Sequence, residues 1–145
     1  MHRLSLAIIK GNRTHENIIN MEIINTAKMP KSNGHYSQCI EHNGILYLSG
    51  QLPIDQVTKT IPTTVEEQAD LALKNVELIL KEASSSKNNV LQVRVYLSNI
   101  DFWNKVNERY SIFFENHKPV RCIIPTRDLH FGCLIEIEVT AIPKI

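Results

Sequence analysis

From residue 65 onward, Val65, Ala69, Ala72, Val76, Ile79 or Leu80, and Ala83 recur at steps of three and four, which draws one apolar stripe along a long helix. Thr63 with Glu66, or Thr64 with Glu67, has the spacing of a capping box at its start, and Ser84-Ser85-Ser86 with Asn88-Asn89 ends it. Val90 to Leu97 changes period: Val93, Val95 and Leu97 fall on one side and Arg94 and Tyr96 on the other, a strand with one buried face. Asp101 is placed to cap a second helix, whose stripe is Phe102, Val106, Tyr110 and Phe113 or Phe114, with Asn107 beside it. After Pro119, Val120 to Ile124 reads as a strand, and Pro125 to Gly132 as a loop. In a last strand, Cys133 to Ile142, Ile135, Ile137, Val139 and Ala141 oppose Glu136, Glu138 and Thr140.

Upstream, Tyr36 to Gln51 reads as two short strands about Asn43-Gly44, a pair suited to the positive φ angles of a two-residue hairpin turn. Pro53 and Pro62 then break any ladder before the first helix. The order is hairpin, helix, strand, helix, strand, strand: an α+β fold with two helices packed on one face of a mixed β-sheet. Nothing left in the chain covers the other face, and self-association is the economical way to cover it.

With 145 residues and 43% hydrophobic positions, the chain suits one domain with a core of ordinary depth. Residues 1–20 read as an extension and 21–145 as the domain. Leu4 to Ile9 is a marginal apolar run for a signal peptide and no small-residue cleavage site follows it, while Glu16 and the scarcity of serine argue against a transit peptide. The formal charge of +1, with both signs interspersed, gives no electrostatic case for a nucleic-acid or membrane partner. Cys39, Cys122 and Cys133 are odd in number and lack metal-ligand spacing, as expected of reduced thiols in a cytoplasmic protein.

Gly34-His35-Tyr36-Ser37-Gln38, Ser49-Gly50-Gln51, Val106-Asn107-Glu108-Arg109-Tyr110, Pro119-Val120-Arg121 and Ile135-Glu136-Ile137-Glu138 resemble, in order and spacing, the successive signatures of the Rid (YjgF) reactive-intermediate deaminase family. That family is also described as the L-PSP endoribonucleases. The resemblance runs from Met21 to the C-terminus. It implies a chorismate-mutase-like fold, a homotrimer with clefts between subunits, and hydrolysis of 2-aminoacrylate-type enamines and imines to 2-keto acids and ammonia.

Residue types alone leave Arg121 equally suited to gripping a ligand carboxylate in a bidentate fork and to an inter-subunit ion pair. The resemblance implies the carboxylate. Glu136, on the polar side of its strand, is suited to directing water or a proton, whereas Glu138 reads as solvated or paired. Tyr36 is similar to the family's site tyrosine, and Asn107 offers a donor and an acceptor. Ser49 and Gly50 supply shape, a backbone hydrogen bond and close approach. Alternation turns Cys122 away from Arg121, so its side chain is expected in the core and only its backbone amide near the ligand. His35, Cys39, His130 and Phe131 stand where the family pattern has other residues, which bears on substrate preference.

Imine hydrolysis requires a protonated nitrogen and a water at an already electrophilic carbon, so neither metal nor cofactor is expected. The rival readings are a non-catalytic module binding a small keto acid or amino acid, and an endoribonuclease, which the near-zero charge disfavours.

Overall fold

Asn43 and Gly44 take φ angles of 52° and 74°, closing the expected hairpin between β3 (Cys39–His42) and β4 (Ile45–Gln51). The computed structural model describes residues 4–5, 20–29, 32 and 34–144. Around the hairpin lie β1 (Leu4–Ser5), β2 (Met21–Ile24), α1 (Val65–Glu82), β5 (Val90–Leu97), α2 (Trp103–Phe114), β6 (Val120–Pro125) and β7 (Ile135–Ala141). They build one seven-stranded sheet in the order β1-β2-β3-β4-β7-β5-β6. Among the described strands only β5 and β6, joined through α2, run parallel.

Three sequence expectations are corrected, and one strand is added. Tyr36 precedes the sheet rather than opening a strand, because pairing with Leu48 begins at Cys39. The second helix starts at Trp103, not after Asp101: Asn99 Oδ1 accepts the Asp101 amide at 2.9 Å and caps a short 3₁₀ turn, Ile100–Phe102, ahead of it. The last strand begins at Ile135, two residues late, since His130–Gly132 forms another such turn. Finally, β2 was not anticipated, being four residues without clear alternation, and Leu4–Ser5 of the 1–20 segment pairs with its Ile23 and Glu22.

The core lies between the sheet and the two helices. Val93, Val95, Leu97, Ile135, Ile137, Val139 and Ala141 are all at most 1% exposed, as the alternation predicts, and they meet Ala69, Ala72, Leu73, Val76, Ile79 and Leu80 of α1. From α2, Val106, Tyr110 and Phe114 complete it, with Phe102 and Phe113 packed at its margin. The helices are tied to each other by a forked Arg109–Asp70 pair, with Nε and Nη2 donating at 2.8 and 2.7 Å. Buried Gln68 and Asn75 hold the 52–62 loop through its carbonyls at Pro62, Leu52 and Ile54.

Of the two spacings that suit a capping box, Thr64 with Glu67 is used: the Thr64 side chain accepts from the Glu67 amide while the Glu67 carboxylate accepts from the Thr64 backbone. Thr64→Ala leaves the Glu67 amide unserved and is expected to lower stability by about 1 kcal/mol, a few degrees of Tm in a thermal melt.

The face away from the helices carries Gln92, Arg94 and Tyr96 of β5 beside Thr140, Glu138 and Glu136 of β7. Arg94 Nη1 pairs with Glu138 at 3.2 Å and the Tyr96 hydroxyl donates to the same carboxylate at 2.9 Å. Tyr47, about half exposed, stands next to them on β4. A sheet face with this mixture of charge and aromatic surface is left bare by the described residues.

Candidate functional site

Register decides which face each site residue occupies. Arg121 pairs with Val93 and so points to the helix side, whereas Cys122 pairs with Arg94 and Glu136 with Tyr96, which places both on the bare face. Within one chain, the candidate residues therefore form two groups on opposite sides of the sheet.

The first group is built on α2. Trp103, Asn107 and Tyr110 are spaced four and three residues apart, so they share a helix face. The Arg121 guanidinium lies 4.6 Å from the Tyr110 ring centroid and 5.7 Å from that of Trp103. Its Nη1 donates to Asn107 Oδ1 at 3.0 Å. No carboxylate among the described residues pairs with it. Asn107 thus acts first on Arg121, fixing the plane of the fork. Burial pushes the Tyr110 phenol up to about 12, with Arg121 pulling the other way, and its hydroxyl has no partner among the described residues. Sequence reading assigned Tyr110 only to the core and passed over Trp103. The signal available was their shared face with Asn107.

The second group is built where β4 departs from regular pairing. Leu48 opposes Val139 and Gln51 opposes Ile137, so a bulge falls at Ser49–Gly50. It brings Gly50 beneath Glu136: a Cβ there would lie 3.0 Å from the Glu136 Cδ and closer still to its carboxylate oxygen. Ser49 has a larger part than shape. Its hydroxyl donates to the Ser37 carbonyl at 2.6 Å and its amide to that of Gln38 at 3.0 Å, which anchors the segment bearing Tyr36. The Tyr36 ring folds back over Gly34, where an added Cβ would meet its Cε1 at 2.6 Å. Tyr36, Ser49, Gly50, Tyr47 and Glu138 line a cavity of about 780 Å³.

Glu136 stands half-buried against Gly50, which lines this cavity. Loss of solvent raises its carboxyl above the ordinary range, Glu138 adds to the rise and His130 opposes it. Glu138, held by Arg94 and Tyr96, is the paired carboxylate of the two.

Cys122 is corrected: its thiol is exposed rather than in the core, because the edge strand turns it to the uncovered face. Cys39 is buried instead, and burial pushes its thiol up to about 12. His35 is exposed in the loop beside Tyr36. Among the described residues, no group of three or more His, Cys, Asp or Glu gathers to hold a metal ion. No helix among them is long and apolar enough to cross a membrane.

A family model described as endoribonuclease L-PSP matches residues 26–143. The chain belongs to this L-PSP (Rid/YjgF) family. A RutC family protein of Pyrococcus abyssi is 38% identical over 121 residues, covering 83% of this chain and 95% of that one. YyfA of Yersinia pestis, described as of the conserved Rid protein family, is 35% identical with a TM-score of 0.81, covering 84% and 98% of the two chains. The Escherichia coli TdcF structure with bound serine is 30% identical at a TM-score of 0.80, covering 84% and 98%. The expected mixed sheet with two helices is the fold of these Rid relatives.

Proposed function

We propose that the protein hydrolyses 2-imino acids and their enamine tautomers to 2-keto acids and ammonia, at a cleft completed between copies in a homotrimer. The observation that carries this reading is Arg121, a guanidinium set against two aromatic rings and aligned by Asn107, yet unmatched by any carboxylate of the described residues. Such an arginine suits the carboxylate of an imino acid through a forked pair of hydrogen bonds.

The chemistry then falls to the other group. A water directed by Glu136 adds to the imine carbon, the C–N bond breaks, and the nitrogen leaves as ammonia after taking up the proton. Tyr36 and Ser49 wall the cavity, and Gly50 leaves room for the Glu136 carboxylate. The backbone amide of Cys122 is kept as a ligand contact in this reading. No oxidant is consumed, and the balance closes on substrate and water. Because Arg121 and Glu136 lie on opposite sides of one sheet, Arg121 of one copy must meet Glu136 of another. The three thiols, all free, suit a reducing cytoplasm.

Complementation tests the arrangement together with the activity. Arg121→Ala and Glu136→Gln proteins are each expected to be nearly inactive on 2-iminopropanoate at concentrations below the wild-type KM. After unfolding and refolding as an equal mixture, about a quarter of the wild-type rate should return, the statistical share of clefts with both residues intact. A mixture as inactive as its parents, or a protein that stays monomeric, sinks the shared site.

A second reading draws on the serine in the TdcF structure: the cleft binds a small amino or keto acid without turning it over. Calorimetric binding with no imine hydrolysis would favour it. Nuclease activity, suggested by the family's other name, finds little support in a chain of net charge +1.

A further inference from the structure

Phe131 takes a left-handed backbone conformation, with φ 59° and ψ 20°, followed by Gly132 at φ 69°. A bulky side chain is rare there, and residues held in such regions gather at binding and catalytic sites. The ring is nevertheless not used in the core: Phe131 is 64% exposed, and its one ring contact among the described residues is with His130, centroids 3.9 Å apart and planes tilted by 56°.

The turn presenting this aromatic pair is firmly anchored. Gly132 and Cys133 amides close it on the Leu129 and His130 carbonyls at 3.2 Å. Immediately after it, the Leu134 amide donates to Gln68 Oε1 at 2.8 Å, and the Leu134 carbonyl accepts from Ser98 at 3.1 Å. Two residues further on is Glu136, whose carboxyl senses the His130 charge. Tyr36 precedes β3, and Ser49 and Gly50 lie at the end of β4 that pairs with the start of β7, so the turn leads into β7 at the same end of the sheet, where Gly50 meets Glu136.

In a 2-imino acid the carbon that receives water carries three substituents: nitrogen, carboxylate and side chain. With the carboxylate on Arg121 and the water on Glu136, the surface next to Glu136 that is not already used meets the side chain. We propose that Phe131, backed by the His130 ring, forms an apolar subsite for that side chain, so that the protein favours 2-imino acids with branched or aromatic side chains over 2-iminopropanoate. This rests on the deaminase reading and names its substrate class. Burying an apolar side chain against an exposed ring is favourable, and one or more methylenes in such a pocket discriminate roughly 10–200-fold.

The test uses the full-length protein with imines generated in place by an L-amino-acid oxidase from alanine, leucine and phenylalanine. Wild type is expected to show a higher kcat/KM on the leucine- and phenylalanine-derived imines. Phe131→Gly and Phe131→Lys should each lower the ratio of the phenylalanine-derived to the alanine-derived kcat/KM by tenfold or more. Glycine suits the left-handed backbone, so the Phe131→Gly protein should melt at or above the wild-type temperature, which separates the subsite from a folding role. An unchanged ratio, or a wild-type preference for 2-iminopropanoate, overturns the subsite. Should wild type hydrolyse none of the three, the deaminase reading fails. Calorimetry with phenylpyruvate and pyruvate then decides the subsite alone: loss of the phenylpyruvate preference in Phe131→Gly upholds it, and equal ratios in both proteins overturn it.

Discussion

Arg121→Ala is expected to lower kcat/KM for imine hydrolysis by at least on the order of 10²-fold, about 3 kcal/mol of lost binding to the substrate carboxylate. The contact exists before and during water attack, so most of the loss should appear in KM, with kcat less affected. Binding of a keto-acid product should weaken in parallel in calorimetry. Arg121→Lys keeps the charge but not the planar fork that Asn107 aligns, and should recover only part of the loss. Equal kcat/KM in wild type and Arg121→Ala would remove the carboxylate from Arg121 and with it the main support for the proposed reaction.

The surroundings of Arg121 explain why an arginine fits where a lysine would not. Stacking against Tyr110 and Trp103 uses the faces of the guanidinium, and Asn107 takes one edge N–H, so the remaining edge donors stay available to a ligand. Trp103 is about two-fifths exposed in the single chain, so this end of the site is open from the helix side.

Local pattern was sufficient for β5 and β7, because both faces of each strand announce themselves: Val93, Val95, Ile135 and Ile137 are buried, and Arg94, Tyr96 and Glu136 are turned away from the helices. The Asn43-Gly44 turn and the α1 stripe were legible for the same reason, each being fixed by residues a few positions apart. The helix start at Trp103 was not, because two residues compete for the role: Asn99 caps the turn that Asp101 was expected to open. Arg121 and Cys122 show the deeper limit. Alternation establishes that they oppose each other, but which of them faces the helices depends on the pairing of β6 with β5, strands that α2 separates in the chain. Val-Arg-Cys-Ile-Ile-Pro carries no amphipathic pattern to announce that register. The residue types of the site were thus legible through motif resemblance, while its division between two faces was a matter of long-range pairing.

Glu136→Gln is expected to reduce kcat by on the order of 10²–10³-fold with little change in KM, the opposite division from Arg121, because proton handling matters in the transition state rather than in binding. Gly50→Ala should depress kcat in the same direction, since its methyl group displaces the carboxylate it would meet. Two pH measurements follow from the raised Glu136 carboxyl, whose causes are first desolvation and then Glu138. Water activation needs the ionised form, so kcat/KM should climb with pH through a value above the ordinary ~4.3 of a glutamate, and this limb should vanish in Glu136→Gln. Stability should move the other way. A carboxyl whose folded pKa exceeds its unfolded one stabilises the fold fully only below the unfolded value, and that contribution is lost as pH rises through the folded value. At neutral pH the ionised Glu136 therefore weakens the fold, and Glu136→Gln should melt at a higher temperature than wild type, with the gain shrinking as the pH is lowered towards 4. A variant that loses activity while gaining stability in this pH-dependent way identifies a carboxylate kept charged for chemistry. Full kcat in Glu136→Gln would instead place water activation elsewhere in the cleft.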